Sequence, residues 1–146
     1  MPSCLKHLDL DSIDLTSSSG KLNLPPGVGR AGEAAARTFV TEELRYEIVE
    51  TNFRTREGEI DIVARSGLEV VFFEVKTRTS KKFGSAVEQI PGSKAMRLQS
   101  TAQRFLEESA AGDIDWRIDL LSIEMTRSGR VIQIEHIPNA IEYQAG

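Results

Sequence analysis

The stretch from Gly58 to Arg78, GEIDIVARSGLEVVFFEVKTR, constrains the fold of this chain more than any other. Ile, Val and Phe dominate two runs separated by Ser66-Gly67, so the runs are predicted to form the strands of a hairpin. With Ser66 and Gly67 as a two-residue turn, Arg65 faces Leu68 and Ala64 faces Glu69. Residues that face each other share one side of a sheet, and sides alternate along each strand. One side then holds Ile60, Ile62, Ala64, Val71, Phe73 and Val75, all apolar. The other holds Glu59, Asp61, Val63, Val70, Phe72, Glu74 and Lys76, with Glu59 opposite Glu74 and Asp61 diagonal to it. A one-residue slip would mix the two sets, so the segregation of charge selects this register.

Packing carboxylates beside Val63, Val70 and Phe72 is costly, because the charges repel and lose water. A cation relieves both costs. Lys76 can supply part of that relief, and a divalent ion supplies more. Mg²⁺ prefers oxygen donors and typically takes one or two carboxylates plus water and substrate phosphates. The preceding segment adds another acid. Residues 30–44 are alanine-rich and free of internal proline, as a helix requires. On that helix Glu33 shares a face with Ala36 and Val40, at i, i+3 and i+7. It either meets a partner on the sheet or sits in the first turn, where the helix N-terminus favours an acid.

The remaining chain follows the same logic. Residues 46–55, YEIVETNFRT, have strand composition. Residues 79–92 carry turn residues and charge without a period, and read as a loop or flap with a short helical turn near Ala86. Residues 93–109 form a second helix, with Ala95, Leu98, Ala102, Phe105 and Leu106 on one stripe and Ser93 as N-cap. WRIDLLSIEM is apolar on both faces, as in the middle of a sheet. Arg127-Ser128-Gly129 turns the chain into VIQIEHI, an alternating edge strand. The second helix is long enough to cross over into a parallel pairing. The fold class is therefore α/β: a mixed central sheet flanked by helices in the order α-β-β-β-α-β, plus an extra C-terminal edge strand. Residues 1–28 read as a mobile tail, 29–138 as one domain and 139–146 as a C-terminal tail.

No apolar run approaches the roughly 20 residues that span a bilayer. The first twenty residues lack a basic region followed by an apolar one, so the expected location is cytoplasmic, with no membrane partner. Cys4 is the only cysteine, which excludes an internal disulfide and a cysteine-based zinc site. The net charge of −4 argues against nucleic acid, but its distribution does not. Between Lys76 and Arg104 there are seven basic residues and one acid, Glu88. Such a block attracts phosphate locally, since exposed charges beyond about 10 Å are screened. Lys94, Arg97 and Arg104 line one stripe of the second helix, away from its apolar stripe. Trp116 and Phe105 sit in apolar patterns and read as core. His7 and His136 have no catalytic context in the sequence.

Carboxylates that hold one or two Mg²⁺ or Mn²⁺ ions suit phosphodiester hydrolysis, which needs an activated water and a stabilised phosphorane charge. Asp61 and Glu74 would be the metal ligands, Glu33 a further or water-mediated ligand, Lys76 the positioned cation and Glu59 a rim charge. A bare Glu-x-Lys on a strand is usually a solvated ion pair. The combination of Asp, Glu-x-Lys and a helical acid is sharper.

That order of residues resembles the PD-(D/E)xK nuclease superfamily. More narrowly, GEAAA at Gly32, NFRTREGEIDIVA from Asn52, FFEVKTR from Phe72 and FGSAVEQIPGSK from Phe83 resemble the bacterial YraN family, which is similar to archaeal Holliday junction resolvases. The resemblance covers Gly29 to Ile137. It implies a restriction-endonuclease-like core and a catalytic site of Glu33, Asp61, Glu74 and Lys76. Asn52, Arg54 and Lys94 match further family positions. The long N-terminal tail departs from the family's usual start. The resemblance also implies structured or branched DNA as substrate, and admits a homodimer. Arg54, Arg78, Lys81, Lys82, Lys94 and Arg97 are the expected nucleic-acid contacts, and they position a backbone rather than read bases. The alternatives are a non-catalytic nucleic-acid-binding module on the same fold, and a protein-interaction domain whose acidic cluster is a salt-bridge network.

Overall fold

The computed structural model describes residues 24–79 and 90–141. The elements are α1 (Val28–Thr38), a widened helical turn (Phe39–Glu43), β1 (Glu47–Arg54), β2 (Glu59–Ser66), β3 (Glu69–Arg78), α2 (Gly92–Glu108), β4 (Trp116–Met125) and β5 (Val131–Ile137). The five strands form one sheet in chain order. Neighbours β1–β2, β2–β3 and β4–β5 run antiparallel, and β3–β4 run parallel across the α2 crossover. This is the mixed sheet and the element order, with the extra C-terminal edge strand, that the sequence predicted. None of the described helices is long and apolar enough to cross a membrane.

The hairpin turns one residue later than expected. Gly67 and Leu68 form the turn, and Ser66 pairs with Glu69. Gly67 has φ 62°, the positive value that a tight hairpin needs and glycine supplies without strain. Partners thus shift by two residues: Ala64 faces Val71, not Glu69. A two-residue shift preserves the faces, so the expected alternation holds from Ile62 to Ala64 and along β3 despite the wrong turn. It also corrects the pairing inferred for the acids, because Asp61 rather than Glu59 is brought to the level of Glu74.

Each face of the sheet carries its own core. On one face Ile62, Ala64, Val71, Phe73 and Val75 pack with Leu121, Ile123 and Met125 beneath Val28, Ala36 and Val40 of α1 and the turn after it. On the other, Ile60, Val63, Val70, Phe72 and Ile118 pack beneath Leu98, Ala102 and Phe105 of α2, with Trp116 at the margin. Phe72 and Phe73 are fully buried on opposite sides, each worth about 2–3 kcal/mol of hydrophobic transfer. Gly32 is what lets α1 sit so close, since a Cβ there would overlap the Thr77 side chain of β3.

Four local expectations change. Ile60 belongs to the α2 side although Ile62 faces α1, so β2 rotates about its own axis at Asp61. The helical segment 30–44 is α-helical only to Thr38; beyond it Leu44 N–H bonds to Phe39 O and Tyr46 N–H to Val40 O, both at 3.0 Å, widening the last turn. The N-cap of α2 is Pro91, without a side-chain cap bond, and Ser93 lies inside the first turn. Ile141 is buried in the α2-side core, so packing reaches into the segment read as the C-terminal tail. The readings for residues 1–23, the flap and helical turn at 80–89, and residues 142–146 fall outside the described residues.

Candidate functional site

The site forms where β2 leaves β3. Paired residues of that ladder end at Ile62 and Phe73, while β2 stays paired with β1 down to Glu59. The β1–β2 pair therefore peels away from β3 at Asp61. Asp61 fills the seam: its Oδ2 accepts a hydrogen bond from the Val75 N–H at 2.7 Å, so a side chain takes the place of the departing strand. Asp61 is 7% exposed and Glu74 4%. Two carboxylates are thus held almost without water on either side of one peptide of β3.

Asn52 accommodates the bend on the neighbouring strand. It has φ 55°, a left-handed conformation that Asn tolerates better than most residues. With Glu33, Arg37, Asp61, Ile62 and Val75 it lines a narrow cleft between α1 and the sheet. The cleft is too tight to admit a water molecule. Glu33 lies in the second turn of α1, and no acid occupies the first turn, so the helix N-terminus does not explain it. The structure instead brings Glu33 to the Asp61 side of the seam.

Glu74 takes a partner from α2. Its Oε2 lies 2.6 Å from Lys94 Nζ, and the Lys94 side chain is only 19% exposed. Lys94 was expected among the phosphate contacts; here its charge is spent on a buried acid. Lys76 follows Glu74 by two residues on the same strand face, pairs across the sheet with Ser122, and is half-buried. Among the described residues no three His, Cys, Asp or Glu side chains are grouped to hold an ion. Glu33 therefore does not complete a three-carboxylate set in this conformation. What remains is a carboxylate pair, Asp61 and Glu74, which fits the one or two protein ligands that Mg²⁺ ordinarily takes.

The other expected contacts divide. Arg97 is exposed on α2. Arg54 pairs with Glu59 at 3.4 Å, which accounts for Glu59 at the rim. Arg104 reaches Glu57 at 4.0 Å and Glu108 at 3.9 Å. Arg78 is half-buried beside Glu124 and Gln133. Lys81 and Lys82 lie outside the described residues.

Sequence reasoning missed a second polar cluster, on the α1 side. Asp119 of β4 is fully buried. Its Oδ1 accepts from Arg117 Nε at 2.9 Å and Asn139 N–H at 2.8 Å, and its Oδ2 meets His136 Nε2 at 2.7 Å. Arg117 also bonds Glu69 at 2.5 Å and the Tyr46 hydroxyl at 3.0 Å. Burial pushes the Asp119 carboxyl up, but the bonds from His136, Arg117 and Asn139, with the Arg117 charge, hold it below the ordinary value. Burial works against the Arg117 guanidinium, yet its bonds to Asp119 and Tyr46 keep it raised and charged. The signal was an acid inside the apolar run IDLL, the feature that exposed Asp61.

Fold and site together define an α/β protein with a mixed five-stranded sheet and two nearly buried acids at a strand divergence. A model described as Uncharacterised protein family UPF0102 matches residues 32–123. The UPF0102 protein of Geobacter metallireducens is 46% identical over 115 residues, 79% of this chain and 92% of that protein. The UPF0102 protein of Caldicellulosiruptor saccharolyticus is 38% identical over 113 residues, 77% of this chain and 95% of that protein. A solved structure described as Pyrococcus furiosus SfsA in complex with Ca²⁺ overlaps 71% of this chain and 62% of its own, with 15% identity and a TM-score of 0.37. The chain belongs to the UPF0102 family, the YraN family of the sequence resemblance.

Proposed function

We propose that this protein is a divalent-cation-dependent endonuclease acting on structured or branched DNA. The observation that carries this reading is the pair of nearly buried carboxylates, Asp61 and Glu74, at the point where β2 and β3 part. Mg²⁺ or Mn²⁺ bound by such a pair would supply an activated water and charge stabilisation for phosphodiester hydrolysis. The chain's own residues prepare the place. The Val75 N–H fixes the Asp61 carboxylate, leaving its other oxygen as a donor. Glu74 lies on the central strand, one residue before that N–H. Lys76 brings an ammonium to the Glu74 side of the sheet, where it can contact a phosphate oxygen. Arg97 adds an exposed charge on α2, on the same side.

The test incubates the purified chain with Mg²⁺ or Mn²⁺ and a four-way junction, a flap, a single strand, a duplex and an RNA. Cleavage that needs the ion and disappears in Asp61→Ala supports the reading; no cleavage of any substrate by the wild type overturns it. The Lys94–Glu74 bond favours a second reading, a nucleic-acid-binding module without turnover, because Glu74 already has a counter-ion. Salt-sensitive DNA binding, unchanged by Mg²⁺ and without cleavage, would support it.

A further inference from the structure

We infer that Lys94 is a tethered counter-ion that occupies Glu74 when no divalent cation is present and must leave it for the cation to bind. The inference rests on the metal-dependent reading proposed above. Lys94 Nζ approaches Glu74 Oε2 to 2.6 Å. Lys94 is the third residue of α2, and no acid lies in that first turn. A cation there is disfavoured by the helix dipole. Its position is therefore not explained by helix stability. The buried carboxylate explains it: Glu74 is almost wholly buried, and the ammonium sits within hydrogen-bond reach of its Oε2.

A divalent ion offers Glu74 twice the charge and displaces the need for the ammonium. Two cations crowded on one carboxylate repel, so the ammonium and the ion compete. The segment leading into α2 gives Lys94 somewhere to go. Pro91, Gly92 and Ser93 are exposed, and among the described residues nothing lies within 4 Å of where a Gly92 Cβ would be. Released from Glu74, the Lys94 ammonium stays at the mouth of the site and is available to a substrate phosphate. Competition of this kind scales the apparent affinity down to the fraction of time the site is open. If the ammonium holds Glu74 nine-tenths of the time, the loss is about tenfold.

The test is Mn²⁺ titration of the full chain, followed by the electron paramagnetic resonance signal of free Mn²⁺, in the wild type, Lys94→Met and Asp61→Asn. Met keeps the length of the stem and removes the charge. The expected result is that Lys94→Met binds Mn²⁺ about tenfold tighter than the wild type, while Asp61→Asn binds more weakly. Equal or weaker binding in Lys94→Met, with the wild type still binding, overturns the inference and leaves the metal-dependent reading standing. No binding by either overturns both. Should Lys94→Met not fold, the wild type answers alone. The Lys94 ¹³Cε and Glu74 ¹³Cδ resonances should move together as Mg²⁺ is added, and a Lys94 resonance that stays fixed while that of Glu74 moves overturns the inference.

Discussion

Asp61 Oδ2 stands 2.7 Å from the backbone nitrogen of Val75, so one carboxylate both terminates a strand ladder and lines the candidate site. Stability and chemistry are thus coupled at this residue, and two substitutions separate them. Asp61→Ala leaves a buried N–H without its acceptor and should cost about 1–3 kcal/mol. Asp61→Asn keeps an acceptor oxygen and should cost less, while losing any Mg²⁺-dependent cleavage. Urea denaturation alongside the cleavage assay checks both. Equal destabilisation by the two variants would show that the N–H bond is not what matters.

Removing Lys94 takes an ion-pair partner from a buried acid. Lys94→Met should destabilise the metal-free protein by about 3 kcal/mol, near the lower end for breaking a buried pair. Lys94→Met combined with Glu74→Gln should recover much of that loss, because the buried charge that Lys94 met is removed as well. Thermal and chemical unfolding of the single and double variants measure the coupling.

Gly32 and Thr77 set the distance between α1 and the sheet. Gly32→Ala should cost about 1–3 kcal/mol through overlap with Thr77, reduced by the better helix propensity of Ala, about 1 kcal/mol. Adding Thr77→Ala removes the hydroxyl and methyl that the new Cβ meets, so the double variant should be more stable than Gly32→Ala alone. A double variant no better than the single would refute this account of the contact.

The Asp119 carboxyl is held below its usual value in the folded protein. Its stabilising contribution is therefore complete above the unfolded-state value, about pH 4, and is lost as pH falls through the lower folded value. Asp119→Asn should be less stable near neutrality and should show a flatter decline in acid. Denaturation midpoints measured from about pH 7 down to about pH 2 test this, and parallel curves for the two proteins would contradict it.

If DNA lies across the α2 side, Arg97→Ala should weaken binding without changing preference among substrates. The slope of log affinity against log salt should fall by roughly one for the lost phosphate contact. An unchanged slope would place the DNA elsewhere.

Much of this was legible in the sequence because period-2 alternation tolerates error in the turn. Misplacing the turn by one residue moved every partner by two, and the faces stayed correct from Ile62 onward. The twist at Asp61 was not legible, since alternation assumes a regular strand and put Ile60 with Ile62. The Lys94–Glu74 bond joins residues twenty positions apart through a crossover, and no local pattern encodes it. Lys94 therefore read as one more member of a basic stripe. His136 looked idle because its partner, Asp119, sits on the neighbouring strand, and only the β4–β5 register shows that they meet.

The parallel pairing of β3 with β4 has a kinetic consequence. The other three strand pairs are sequence neighbours that can zip locally, but Val70 meets Trp116 only after the intervening chain has closed a long loop. Contacts of such high sequence separation are formed against entropy and slow the search for the native state. Asp61 and Val75 can find each other early, within one hairpin. Glu74 must wait for α2 to dock before it gains Lys94, so the ion pair at this acid is completed only as the crossover closes.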